Sequence, residues 1–302
     1  SKVKARFMLE ACRAEVLSRE AACRSNWTAK MHPAPIPFVP RTKLRPPRLP
    51  DDILVRTRLL EKLNRAQTLA LIIAPAGYGK TSLACSWLAQ HGYPYAWLAL
   101  EDEDNAPAVF LAGLVGAVRC VFPTFGAALL ALLEEPAGEL TPAHMLPALL
   151  NSLDMLEQNF VLVLDDYHHI TDPSVHQLLS GLLTHPPRPL QLVVTARCDP
   201  PIPLRLRSQG TVTEIRMREL RFTAAETAEF LSRCGTQRLD ADATAAVVEQ
   251  TEGWAVPLRL LVASPTTPHT LSAPSTIMNK RRSGPNSPGA WRCTAGRSHT
   301  VM

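Results

Sequence analysis

Leu69-Ala70-Leu71-Ile72-Ile73-Ala74-Pro75-Ala76-Gly77-Tyr78-Gly79-Lys80-Thr81-Ser82 is the stretch that decides how this chain folds. The apolar run Leu69–Ile73 reads as a strand buried on both faces, the kind found in parallel sheets. After the glycines a helical pattern opens at Thr81, with Leu83, Trp87 and Leu88 on its apolar face. A Gly-Lys-Thr triplet alone arises by chance, but between a strand and a helix it is the setting a Walker A loop requires. Gly77 and Gly79 let the backbone turn its N–H groups inward as an anion-binding nest. The helix N-terminus adds unsatisfied donors and a dipole favourable to phosphate. Lys80 supplies a mobile positive charge for the β- and γ-phosphates of ATP, and the Thr81 hydroxyl is placed to ligate Mg2+. The candidate phosphate-binding residues are therefore Ala76, Gly77, Tyr78, Gly79, Lys80, Thr81 and Ser82. One departure is Ala74, where the general pattern has its first glycine, with Pro75 beside it to stiffen the loop entry.

Working outward, the same alternation recurs. Strands are expected at 95–100, 160–164, 190–195 and 213–217, and helices at 58–66, 106–121, 143–156 and 175–183. Short apolar strands alternating with helices argue for an α/β fold, a parallel sheet covered on both faces. Helical patterns at 224–233, 241–250 and 256–262, with no strands between them, predict a small helical subdomain beyond the sheet. The apolar run Phe160–Leu164 leads straight into Asp165-Asp166. Carboxylates at the C-terminal end of a buried strand lie where open α/β sheets bind their ligands. Asp165 is the candidate Mg2+ ligand, as a Walker B aspartate, and Asp166 could orient or deprotonate an attacking water. Alone, the pair would read first as helix-cap or turn residues; it is the P-loop beside them that favours the Mg2+ and water roles. At the end of Leu192-Val193-Val194-Thr195-Ala196-Arg197, a polar residue can sense the γ-phosphate. The Arg197 guanidinium could stabilise charge there, or pair with a surface acid. His168 and His169 read as a solvated loop, because no third ligand has the spacing of a metal site. The acidic run Glu101–Asp104 reads as a cap for the helix that follows, and Cys85 as a core residue.

Composition narrows the function classes. The chain has 302 residues, 46% hydrophobic and 20% charged, which suits an ordinary globular protein. No apolar run approaches the roughly 20 residues needed to span a membrane, and the first residues lack the apolar core of a signal peptide. Seven irregularly spaced cysteines form no CxxC pair, which points to reduced thiols and a cytoplasmic setting. The net charge of +5 is uneven: residues 1–50 hold 11 Lys/Arg against 3 Asp/Glu, and 265–302 hold 5 Lys/Arg with no acid, which leaves 51–264 at −8. The basic excess thus lies in the flanks and reads as solvated charge, not as a nucleic-acid footprint. Four parts follow: an N-terminal extension with a helical pattern at 5–23 and a Pro-rich extended lead-in (1–50), a P-loop domain (51–220), a helical lid (221–264), and a basic, unstructured tail (265–302).

Several phrases agree with one family. "APAGYGKTSL", "FVLVLDDYHHI", "LQLVVTARCDPPIPLRLR" and "TEGWAVPLRLL" resemble the nucleotide-binding domain of the LuxR-type, ATP-dependent transcriptional activators of the maltose-regulon group. These belong to the signal-transduction class of P-loop NTPases (STAND), and the resemblance covers 36–264. It implies a five-stranded parallel sheet followed by a small helical region. It also implies a regulatory switch in which ATP with an inducer favours an oligomeric active form and ADP a resting monomer. The segment before the P-loop would approach adenine, mapping loosely to Val55 and Arg56, and Gly253-Trp254 is similar to a lid motif near the nucleotide. Family members continue to a helix-turn-helix that binds DNA. The resemblance here stops near Ser264, and the tail shows no such pattern. The expectation is a slow Mg2+-dependent ATPase switch that binds ATP and ADP, pairs with itself or a full-length homologue, and contacts neither DNA nor membrane. A small-molecule kinase using the same P-loop, or a non-catalytic interaction fragment, remain the alternatives.

Overall fold

The computed structural model describes residues 38–50, 52–134, 141–208, 210–234 and 240–263; the expected helix at 5–23 and the tail from 265 onward lie outside them. In chain order the elements are α1 (Thr57–Leu63), β1 (Leu69–Ile73), α2 (Lys80–His91), β2 (Tyr95–Ala99), α3 (Pro107–Arg119), α4 (Ala127–Leu133), α5 (Pro142–Asp154), β3 (Phe160–Asp165), α6 (Pro173–Thr184), β4 (Leu190–Ala196), α7 (Leu204–Ser208), β5 (Val212–Arg216), α8 (Met217–Leu220), α9 (Ala224–Arg233), α10 (Ala241–Thr251) and α11 (Ala255–Ala263). The five strands form one parallel sheet in the order β2-β3-β4-β1-β5. Every residue of β1 and β3 is buried, as their unbroken apolar runs require.

Side-chain alternation divides the core between the two faces. Leu69, Leu71 and Ile73 of β1, with Leu162 and Leu164 of β3, face the layer built by α3 to α6. Ala70 and Ile72, with Val161 and Val163, face α1 and α2, where Trp87 and Trp97 are almost fully buried. A third, smaller core joins Phe230, Leu231, Val247 and Leu258 of the helical subdomain to Leu54, which precedes α1. The helices are stopped and started by local chemistry. Gly92 closes α2 in the left-handed region, Asp172 caps α6 through Ser174 N–H, and Thr223 with Glu226 forms a capping box on α9.

Two local expectations change. The acidic run does not cap α3, whose N-cap is Ala106. Instead Asp104 accepts from the Glu101 N–H at 2.8 Å, closing a 3-10 turn over Asp102–Asn105. A buried carboxylate there needs a counter-charge, and Lys43 of the Pro-rich lead-in supplies it as a buried ion pair. The lead-in is accordingly not merely extended: Arg41–Leu44 forms a 3-10 turn, and Leu44 packs against the main core. Removing one member of a buried pair strands the other. Lys43→Met is therefore expected to cost about 3 to 5 kcal/mol of unfolding free energy, read by urea denaturation.

Candidate functional site

The glycine loop leaves the C-terminal end of β1 with Ala74 N–H still bonded to the Ala196 carbonyl of β4, so its start continues the sheet. Gly77 (φ 81°) and Gly79 (φ 79°) take the left-handed turns that admit glycine most readily, and Gly79 is the N-cap of α2. Lys80 is buried, and its Nζ donates to the Pro75 carbonyl at 3.1 Å across the loop. Burial pulls its pKa down, opposed chiefly by the Asp166 carboxylate. A poorly solvated ammonium of this kind gains by meeting an anion.

Asp165 closes β3 with only 5% of its surface exposed. The Thr81 hydroxyl donates toward its two oxygens, at 3.0 and 3.1 Å, and the Thr195 hydroxyl donates to Oδ1 at 2.6 Å. Burial raises the carboxyl pKa while the Thr195 bond opposes the rise. Because β4 lies between β3 and β1, Thr195 stands between the aspartates and the glycine loop, and its Oγ1 also accepts from Asp166 N–H at 2.9 Å. That bond holds Asp166 at φ 56°, a conformation aspartate tolerates better than most residues. The carboxylate and hydroxyl oxygens at Asp165 and Thr81 are the hard donors that suit Mg2+.

One of the two histidines departs from the solvated loop expected of them, while His169 stays part-exposed beside the exposed Asp102. His168 is largely covered and its pKa is pushed down to about 4 by burial, with Nδ1 3.6 Å from Asp166 Oδ1. His169 Nδ1 lies 2.6 Å from Asp102. Arg197 is exposed at the end of β4, close enough for its charge to act on Lys80 and His168. Cys85 is buried on α2 with its thiol pushed up to about 12 by burial, a packing residue by position.

Beside Tyr78, Gly79 and Ser82 opens a cavity of about 300 Å3, closed by Ile53 and Leu54 of the segment before α1 and by Phe222 and Phe230 of the helical subdomain. Arg56 lines it, but its guanidinium is already occupied. It donates to the Leu220 and Arg221 carbonyls at 2.7 Å each, pairs with Glu226 at 3.1 Å, and lies 4.5 Å over the Phe222 ring. Val55 is 40% exposed and is not among the lining residues. The apolar wall thus comes from residues that the sequence reading missed. They are spread from 53 to 230 along the chain, and no local pattern joins them. A second, more open groove of about 730 Å3 runs along β5, lined by Arg58, Lys62, Arg65, Arg207 and Arg216, and includes none of the glycine-loop residues.

No protein-family model matches the chain. Over 236 residues it is 34% identical to the serine/threonine-protein kinase PknK of Mycobacterium tuberculosis, a match covering 76% of this chain and 21% of that protein. Over 230 residues it is 32% identical to the HTH-type transcriptional regulator MalT of Klebsiella pneumoniae, covering 75% of this chain and 25% of that protein. The chain thus spans about a quarter or less of the length of these relatives. Among solved structures, a STAND protein with a tetratricopeptide repeat sensor from Pyrococcus horikoshii shares the fold, with a TM-score of 0.52 at 16% identity over 78% of this chain and 33% of that one. A parallel five-stranded sheet, a glycine loop between its first strand and the next helix, and this sequence kinship lead to one assignment: the chain carries a P-loop NTPase domain of the MalT-like regulators.

Proposed function

We propose that this chain binds Mg-ATP between its P-loop and its helical subdomain and acts as the nucleotide switch of a MalT-like regulator. The observation that carries the reading is the joining of Thr81, Asp165 and Thr195 at the ends of three strands or their loops, next to an apolar cavity of adenine size. In this reading the N–H groups of Ala76 to Ser82 and the Lys80 ammonium hold the phosphates. Thr81 and Asp165 would hold Mg2+, which neutralises charge on the β- and γ-phosphates. Asp166, beside the covered His168, orients the attacking water or takes its proton, while Arg197 meets charge developing on the γ-phosphate. Ile53, Leu54, Phe222 and Phe230 sandwich the base. Arg56 acts as a clamp between the start of α1 and the subdomain, not as a base contact.

The switch reading draws on chemistry and kinship together. Asp166 stands where many fast ATPases carry Glu, which suits slow hydrolysis, and a bound nucleotide that touches both parts of the chain selects one arrangement of them. The resemblance to MalT supports a role in transcription regulation through ATP and ADP states, with self-association or pairing with a full-length homologue as the output. No helix among the described residues is long and apolar enough to cross a membrane.

Two outcomes test this reading. A thermal melt of the chain with Mg-ATP at 100 times its Kd should show about 2.7 kcal/mol of added stability. Lys80→Ala should lose most of that gain; a mutant stabilised as strongly as the wild type would sink the site. The second outcome depends on pH. Burial raises the Asp165 pKa above the ordinary carboxylate range, so the folded chain binds that proton more tightly than the unfolded one. The resulting loss of stability is absent at acid pH and complete once pH exceeds the folded pKa. Without metal or nucleotide, Asp165→Asn should therefore melt above the wild type near neutral pH, with the gap closing as pH falls. The same variant should lose Mg2+-dependent ATP hydrolysis, measured as released phosphate.

A further inference from the structure

The helical subdomain does more than wall the cavity, because one of its residues rests on the P-loop itself. Trp254 stacks on Tyr78 with ring centroids 5.7 Å apart and planes 17° from parallel. At Gly77, an added Cβ would stand 2.7 Å from Val256 Cγ2 and 2.9 Å from Trp254 Nε1. The turn must be glycine for its left-handed backbone and again for the close approach of these two side chains. Trp254 remains 37% exposed, so burial in the subdomain's own core does not explain its position.

The loop it touches is costly to order. Gly77 and Gly79 both have positive φ, and glycine loses more conformational freedom on ordering than any other residue. Between them Tyr78 is the one bulky handle. It packs into the core beside Leu83 and lines the cavity, and Trp254 stacks on its ring. Trp254 is itself held. The preceding Gly253 (φ 66°) accepts the Phe222 N–H at 2.8 Å, and a Cβ on Gly253 would lie 2.6 Å from the Phe222 carbonyl oxygen. Phe222 forms the cavity wall beneath the Arg56 guanidinium. A continuous line of contacts therefore joins the base-sized slot to the phosphate loop: Arg56, Phe222, Gly253-Trp254, Tyr78.

We propose that Trp254 is a nucleotide-positioning residue. By stacking on Tyr78 it holds the Gly77–Gly79 turn in the form that presents its N–H groups to phosphate, so that closure of the helical subdomain and phosphate binding reinforce each other. The inference rests on the Mg-ATP reading above. Phosphates favour the ordered turn and the stack favours the same turn, so each lowers the entropy the other must overcome.

The test is a double-mutant cycle on Mg-ATP affinity, measured by isothermal titration of the full 302-residue chain, with a nucleotide-free melt of each variant as a control. Trp254→Ala and Tyr78→Ala should each weaken binding several-fold to about tenfold, the worth of one aromatic stack. The double variant should bind no more weakly than Tyr78→Ala alone, since removing Trp254 has no further effect once the ring it stacks on is gone. Trp254→Phe keeps a ring on Tyr78, so it should retain most of the affinity. Undiminished affinity in Trp254→Ala, or losses that add in the double variant, would overturn the proposal. So would an equal loss in Trp254→Phe, because the ring stack would then not be the cause. Should Trp254→Ala fail to melt cooperatively, Trp254→Leu replaces it in the cycle with the same outcomes. A wild-type chain that binds no Mg-ATP would overturn the underlying site reading as well, whereas the preceding results leave that reading intact and remove this inference alone.

Discussion

A carboxylate almost cut off from water sits where three strands end. Asp165 closes β3, and the hydroxyls of Thr195 on β4 and Thr81 after β1 both turn toward it. A buried charge is tolerated only when its lone pairs are met. These bonds therefore hold the ends of neighbouring strands in a fixed relation. Thr195 then passes the constraint on, since the same hydroxyl that donates to Asp165 accepts the Asp166 N–H and keeps that residue in its left-handed turn. The arrangement is still energetically unfavourable on its own. Asp165 has a raised pKa and Lys80 a lowered one, both chiefly from burial, so each charge is held where it is poorly solvated. Groups perturbed by burial in this way, their mutual attraction only partly offsetting it, at the C-terminal edge of a parallel sheet are the arrangement a charged ligand would relieve.

The segment before α1 has a second organising role. Leu54 belongs to the small core of the helical subdomain, Asp52 pairs with Arg259 of α11, and Arg56 is bound to the carbonyls of Leu220 and Arg221 where α8 ends. This segment thus touches the subdomain before the chain enters the sheet. Any movement of the subdomain must carry this strap with it, and the strap also lines the cavity. Ligand in that cavity would touch both bodies at once. This is the physical requirement for a ligand to bias their relative arrangement: it must interact differently with the two arrangements.

Packing differs sharply below and above the glycine loop. Below the loop, β1 and β3 are buried on both sides and their residues alternate between two cores. Above it, the subdomain has a core of a few residues and meets the P-loop mainly through Trp254 and Val256. Regions with few buried apolar contacts open at lower free energy than the core, so the subdomain is the part expected to respond to ligand.

Local chemistry in the sequence determined the strands, the loop and the aspartates. An apolar run followed by glycines and a basic residue has few other solutions, and Asp165-Asp166 after another such run places two carboxylates at a sheet edge by periodicity alone. Element ends moved by one to three residues, and the short helices α4, α7 and α8 went unread because four to seven residues are too few to show a helical period. Partners across the fold were decided only by the tertiary structure. That Asp104 pairs with Lys43, that Arg56 is a clamp, and that His168 is covered all depend on contacts between residues far apart in the chain or on burial. The cavity is the clearest case: its wall joins Ile53 and Leu54 to Phe222 and Phe230, positions that come together only once the segment before α1 meets the subdomain. Periodicity reports which face of an element is apolar, but not which distant element will cover it.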